Sequence, residues 1–158
     1  AFTRKPWTVE EVRAKLAEQE TLLHAPDAVD MPGKEGNAIR IAMVYATALR
    51  RILARFEAGL PAAEPTEVQG LRIGPIAILG SGFETFQAIK NEVAAAAKAP
   101  VPLVTSFVND SAGYATDHTA AARGGYAADM VPLIGGGVPY SRVHDELVEA
   151  LLALDRAL

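Results

Sequence analysis

The sequence predicts an α/β fold, a layered α/β sandwich with a leading helical hairpin. Three observations predict it. Residues 76–79 and 101–108 are nearly continuous apolar runs bounded by glycine, proline or Asn109-Asp110, the pattern of buried strands. Between them lies an alanine-rich stretch of high helix propensity, so strand, helix and strand follow in βαβ order. Ahead of this unit, residues 8–58 carry two stretches at helical spacing separated by a segment holding two prolines and two glycines.

The elements follow in order. Residues 1–6 read as extended. Thr8 is the expected N-cap of the first helix, Glu11 closes a capping box, and Trp7 can staple onto Val12. Val9, Val12, Leu16, Leu22 and Leu23 form the apolar stripe. Residues 25–37 form a loop, and Asn37 caps a second helix over 38–58 that ends at Gly59-Leu60-Pro61. Arg50, Arg51 and Arg55 fall on its solvated face or pair with acids at helical spacing. Residues 1–60 thus make the helical hairpin and residues 64–158 the α/β portion.

Within that portion, 66–73 and 76–79 read as strands joined by a Gly74-Pro75 turn. The turn Gly80-Ser81-Gly82 leads into a helix over 85–98, and a strand covers 101–108. A polar loop with a short helix near 117–123 follows, capped by Thr116. An edge strand is expected over 128–134, a flexible link at 135–139, and a last helix capped by Ser141 and running to Leu158.

Charge and composition exclude some function classes. The 158 residues carry a net charge of −4, and no basic run exceeds Arg50-Arg51, which argues against nucleic acid. There is no cysteine, so disulfides and thiolate metal sites are excluded. No apolar stretch approaches the roughly 20 residues of a transmembrane segment. The chain opens on Ala1 rather than Met, a start that processing, cleavage or trimming would leave, and no signal peptide is visible in it.

The chemistry concentrates at 109–126, a polar, glycine-bearing loop that leaves a strand, where ligands commonly bind on α/β scaffolds. Tyr114 and Tyr126 each follow a glycine directly, which lets the ring project from a tight turn. By spacing alone, both also fit as half-buried loop rings. Glu84, after a glycine turn, either complements a helix dipole from its first turn or serves as a ligand. Asn109 and Asp110 are turn formers or partners of the site residues. His118 is the one histidine in the loop, while His24 and His144 read as surface residues. Gly80-x-Gly82 lacks the rest of a phosphate-binding motif, and Gly135-Gly136-Gly137 reads as a hinge.

The pattern Gly-Tyr-x-x-(Thr/Asp)-x6-Gly-Gly-Tyr, placed after a strand ending in asparagine, resembles the C-terminal end of the neutral/alkaline, non-lysosomal ceramidase family. Residues 71–86, two strands running into a glycine-rich turn and a glutamate, are similar to an upstream part of that family, and the likeness spans essentially the whole chain. One departure stands out: Gly82-Phe83-Glu84 occupies the place of the family's Pro-Gly-Glu. The resemblance implies a zinc-dependent amide hydrolase that splits an N-acyl sphingoid base into fatty acid and sphingoid base. It also implies a secreted or periplasmic setting.

Carried over residue by residue, the resemblance makes Glu84 and Tyr114 zinc ligands and Tyr126 a catalytic donor to the oxyanion. The family's two histidine ligands lie well upstream of the glutamate, and none of His24, His118 or His144 occupies their place. A tetrahedral site needs about four ligands. The chain is therefore expected to be the C-terminal segment of a larger α/β domain, inactive alone. Its expected partners are an N-terminal segment, on the same or a separate chain, and a lipid-like amide. The alternative is a non-catalytic α/β binding or assembly module.

Overall fold

A computed structural model of the chain describes residues 2–25, 28, 36–61 and 65–158. Most of the loop expected at 25–37, and the centre of the linker at 61–65, lie outside the described residues. Helix α1, Val9–Leu23, starts as its sequence requires. The Thr8 side chain accepts from the Glu11 amide, and the Glu11 carboxylate accepts from the Thr8 amide. Helix α2, Asn37–Glu57, packs along it, with Ala42, Ala46, Ala48, Leu49 and Ile52 buried. Its N-cap is Gly36 rather than Asn37, which falls inside the first turn and makes no cap bond. Gly59, at φ +69°, ends the helix as expected, with the Leu60 amide bonded back to the Arg55 carbonyl. Arg50 pairs with Glu20, and Arg13 with Glu57, across the two helices rather than along one of them.

The α/β layer begins with β1, Val68–Ile73, and β2, Ile76–Ser81, an antiparallel hairpin turning on Gly74-Pro75. A two-stranded ladder joins β3, Glu84–Thr85, to β5, Tyr114–Ala115, in parallel. Helix α3, Gln87–Ala96, crosses to β4, Val101–Thr105, which pairs parallel with β2. The order β1-β2-β4 realises the expected βαβ unit, and the fold is mixed α/β. Helix α4, His118–Arg123, is followed by a π-helical turn, Tyr126–Met130, then α5, Val131–Ile134, and α6, Val143–Ala157.

Several expectations change. The strand expected at 101–108 stops at Thr105, because Phe107 and Asn109 turn left-handed at φ 57°. That turn folds Val108 over Gly80, where a Cβ would meet Val108 Cγ2 at 2.4 Å, so only glycine fits. The edge strand expected at 128–134 is helical instead. Gly124 and Gly125, at φ +71° and +92°, reverse the chain, and the Asp129 carboxylate accepts from the Gly125 amide, starting a helical turn. The Ala128-Asp129 pair and Pro132 do not favour a strand. The cap of α4 is Asp117, whose side chain accepts from Ala120, and not Thr116, which is buried. Ser141 does not cap α6; its amide bonds to the Thr3 carbonyl.

Two cores result. One gathers Ala77 and Leu79 of β2, Phe83, Ile89 and Val93 of α3, and Val143, Leu147 and Leu151 of α6 on one face of the sheet. The other lies between α1, α2 and α5, where Leu133 and Val138 tie the hairpin to the layer. Asp155 joins α6 to the end of α3. It is 1% exposed, and its carboxylate accepts from the amides of Lys98 and Ala99 at 2.5 and 3.3 Å. Removing it leaves two amides without their acceptor, that of Ala99 in the core. Asp155→Ala is therefore expected to cost about 1–3 kcal/mol, read as a lower midpoint in urea with an unchanged m-value. A loss below the error of the measurement would show that other groups satisfy both amides.

Candidate functional site

Strand pairing sets the site. Glu84 stands opposite Tyr114 in the β3–β5 ladder, and Thr85 stands opposite Ala115. Side chains alternate along a strand. Thr85 and Ala115 therefore turn to the core, both buried, while Glu84 and Tyr114 share the outer face. The register is held by the Glu84 amide on the Gly113 carbonyl at 2.8 Å and the Phe86 amide on the Ala115 carbonyl at 3.1 Å. A bond from the Thr85 amide to Ser106 Oγ, at 3.1 Å, ties the ladder to the turn after β4. Glu84 thus sits in a strand, not in the first turn of a helix. The helix-dipole reading of this acid falls with that placement, since α3 begins only at Gln87.

Tyr114 lies opposite Glu84 and interacts with its carboxylate first of all through charge. Its ring meets Phe86 edge-on at 5.8 Å between centroids and Tyr126 at 6.2 Å. Tyr126 itself is 62% exposed, lifted out by the Gly124-Gly125 reversal. The fold therefore brings together Glu84, Tyr114 and Tyr126, separated by thirty and twelve positions in the chain. The Glu84 charge, above all, holds the Tyr114 hydroxyl above the usual tyrosine range. Partial desolvation and Tyr126 add to it.

This electrostatic link can be checked directly. Removing the negative charge makes the phenolate easier to form, so Glu84→Gln is expected to shift Tyr114 ionisation to lower pH. Phenol absorbance across an alkaline titration, with Tyr114→Phe to assign the signal, measures it. An unmoved titration would mean that the carboxylate and phenol do not interact in solution.

The other candidates separate from this group. Asn109 donates to Gln69, tying the turn to β1, and Asp110 accepts from the neighbouring Ser111 amide. His24 is an exposed helix-end residue, as expected. His144 is not a surface residue. It is 6% exposed, meets Glu92 through Nε2 at 2.9 Å and stacks on His118 at 4.1 Å between centroids. His118 in turn pairs with Asp145 at 2.9 Å, which draws its ring to α6. Sequence position gave no sign of this, because His144 becomes buried only when α3 and α4 pack over the start of α6.

Glu84 and Tyr114 offer two oxygen donors, half of the about four ligands that a tetrahedral zinc centre needs. Among the described residues no cluster of three or more histidine, aspartate or glutamate side chains could hold a metal ion. No helix among them is long and apolar enough to cross a membrane. Comparison with protein-family models, with curated proteins and with solved structures finds no match.

Proposed function

We propose that the chain supplies one side of the active site of a zinc-dependent amide hydrolase of the neutral ceramidase type. The observation that carries the reading is the cross-strand pairing of Glu84 with Tyr114, beside Tyr126. Sequence resemblance picked these residues out, and the backbone register brings the first two together on one exposed face. In this reading Glu84 and Tyr114 are metal ligands, and Tyr126 donates from its exposed hydroxyl to the oxygen where charge develops. Zinc, when bound, polarises an amide carbonyl and acidifies water. The two remaining ligands come from a segment outside these 158 residues, which also completes the sheet. The substrate is a lipid-like N-acyl sphingoid amide.

Leu71, Ile73, Val101 and Leu103, exposed on the sheet face opposite α3 and α6, favour a second reading as well: a non-catalytic α/β module that binds a partner. Metal and activity measurements on the natural material separate the two. The first reading expects about one zinc per chain there, hydrolysis of a fluorescent N-acyl sphingosine, and loss of both in Glu84→Ala. It also expects no turnover by the homogeneous 158-residue chain alone. Metal-free natural material, unchanged hydrolysis in Glu84→Ala, or turnover by the isolated chain would overturn it.

A further inference from the structure

Away from Glu84 and Tyr114, a cavity of about 350 Å³ opens where the helical hairpin meets the α/β layer. Its volume lies at the lower end of the range of small-molecule sites, which favour junctions between structural units. Five segments build it: the N-terminal stretch with Lys5 and Trp7, α1, α2, the π-helical turn and α5. Leu49 and Leu133, both buried, supply an apolar surface, and Trp7 and Tyr45 stand partly buried beside them.

The charges of the lining divide into a satisfied pair and an unsatisfied one. Lys5 and Asp129 answer each other at 3.4 Å, and Asp129 also accepts from the Gly125 amide. Lys15 and Glu18 stand three residues apart on α1, with Gln19 on the same side of the helix. Neither charge makes an ion pair or hydrogen bond with a described residue. The Lys15 ammonium lies over the Trp7 ring, 4.8 Å from its centroid. With three N–H donors it can keep that contact and still donate to an anion. The Gln19 amide and the Tyr45 hydroxyl also lack a partner among the described residues. Burial first, and then the Asp129 charge, holds the Tyr45 hydroxyl above the usual tyrosine range, so it stays a neutral donor.

We propose that this cavity binds a free α-amino acid with an apolar side chain. The α-carboxylate takes Lys15, the α-ammonium takes Glu18, and the side chain lies against Leu49, Leu133 and the two rings. An α-amino acid carries one charge of each sign on a single carbon. An unpaired cation and an unpaired anion, neighbours on one helix face, can answer both at once. The charged side chains of the described lining, Lys5, Lys15, Glu18 and Asp129, sum to zero. A ligand with a net charge would leave Lys15 or Glu18 unanswered. The proposal stands apart from the hydrolase reading, because none of Glu84, Tyr114 and Tyr126 lines the cavity.

Trp7 is the only tryptophan of the chain, so its fluorescence reports occupancy directly. Titration of the full chain with L-phenylalanine is expected to change that emission with a Kd below about 1 mM. 2-Phenylethylamine, which lacks the carboxylate, and 3-phenylpropanoate, which lacks the ammonium, should each bind about tenfold more weakly. Calorimetry reads the variants, because Lys15 touches the fluorophore. Lys15→Met, which keeps an unbranched stem over Trp7, should lose about tenfold for L-phenylalanine and nothing for 2-phenylethylamine. Glu18→Gln should lose about as much for L-phenylalanine and nothing for 3-phenylpropanoate. Lys15→Arg, which keeps the charge, should retain binding. No binding of L-phenylalanine, or binding untouched by Lys15→Met or by Glu18→Gln, overturns the site. Equal or tighter binding of either one-charged analogue overturns its assignment to an α-amino acid. Glu18 is exposed and Lys15 partly so, and unchanged thermal unfolding of each free variant places the loss in binding.

Discussion

Phe83→Ala is expected to lower the stability of the chain by about 3–5 kcal/mol, the cost of emptying a large buried aromatic site. Phe83 is fully buried between β2 and β3. Phe2 meets its ring edge-on at 5.0 Å and Tyr140 at 5.4 Å, so two distant segments close on one side chain. Its carbonyl also receives the Phe107 amide at 3.2 Å, which fixes the left-handed turn after β4. Native domains are held by only about 5–15 kcal/mol in total, so this single change removes a large share. Phe83→Leu, which refills most of the volume, should cost less than about half as much. The measurement is chemical unfolding of both variants. A Phe83→Ala loss under about 1 kcal/mol would mean that the core collapses around the gap, and that Phe83 does not organise this end of the sheet. Because Glu84 follows Phe83 directly, a Phe83→Ala chain that stays folded should also show Tyr114 ionising nearer its ordinary range.

The Phe83 position shows what was legible in the sequence. Gly82-Phe83-Glu84 read as a departure from a family pattern, and nothing local marked the phenylalanine as a core plug. Its burial depends on Phe2 and Tyr140, more than fifty positions away on either side. Local signals fared well where the physics is local. The Thr8–Glu11 capping box, the Gly74-Pro75 hairpin, the Gly59 helix stop and the β2–α3–β4 order are all present. Misreadings arose where a tertiary contact outweighs propensity. The apolar residues of 131–134 suit a strand or a buried helical turn equally, and the Gly124-Gly125 reversal with the Asp129 bond selects the turn. Val108 looked like the end of a strand, yet it caps Gly80 from above. Arg51 keeps the solvated position read for it, and Arg50 finds its acid on α1 rather than at helical spacing along α2. The Glu84–Tyr114 pairing was reachable only through resemblance, because neither residue lies in a periodic element long enough to fix its register.

The second large effect concerns the face of the sheet that no helix among the described residues covers. Strand register places Leu71, Ile78 and Leu103 in one row across β1, β2 and β4, and Ile73, Ile76 and Val101 in the next. Helices α3 and α6 pack on the opposite face, against Ala77 and Leu79. The four residues on the outer strands are 43–59% exposed: Leu71 55%, Ile73 59%, Val101 43% and Leu103 47%. Phe107, 52% exposed, lies just past the end of β4. A contiguous aliphatic patch of this kind on a sheet face marks an interaction surface, and such strands suit a sheet covered on both sides. The isolated chain is therefore expected to self-associate or to bind an apolar dye. Leu71→Lys with Leu103→Lys should weaken that association by about 100-fold or more, since two ammonium groups would have to be desolvated in the contact. Monomer stability should move little, because both side chains already face solvent. Sedimentation across a concentration series measures the first effect and chemical unfolding the second. In natural material, hydrogen exchange should show side-by-side protection of β1 and β4 that the isolated chain lacks, as the hydrolase reading requires of a segment completing the domain. A monodisperse, dye-silent chain at high concentration, with the same exchange pattern in both settings, would mean that water alone covers this face, and the case for a completing segment would go with it.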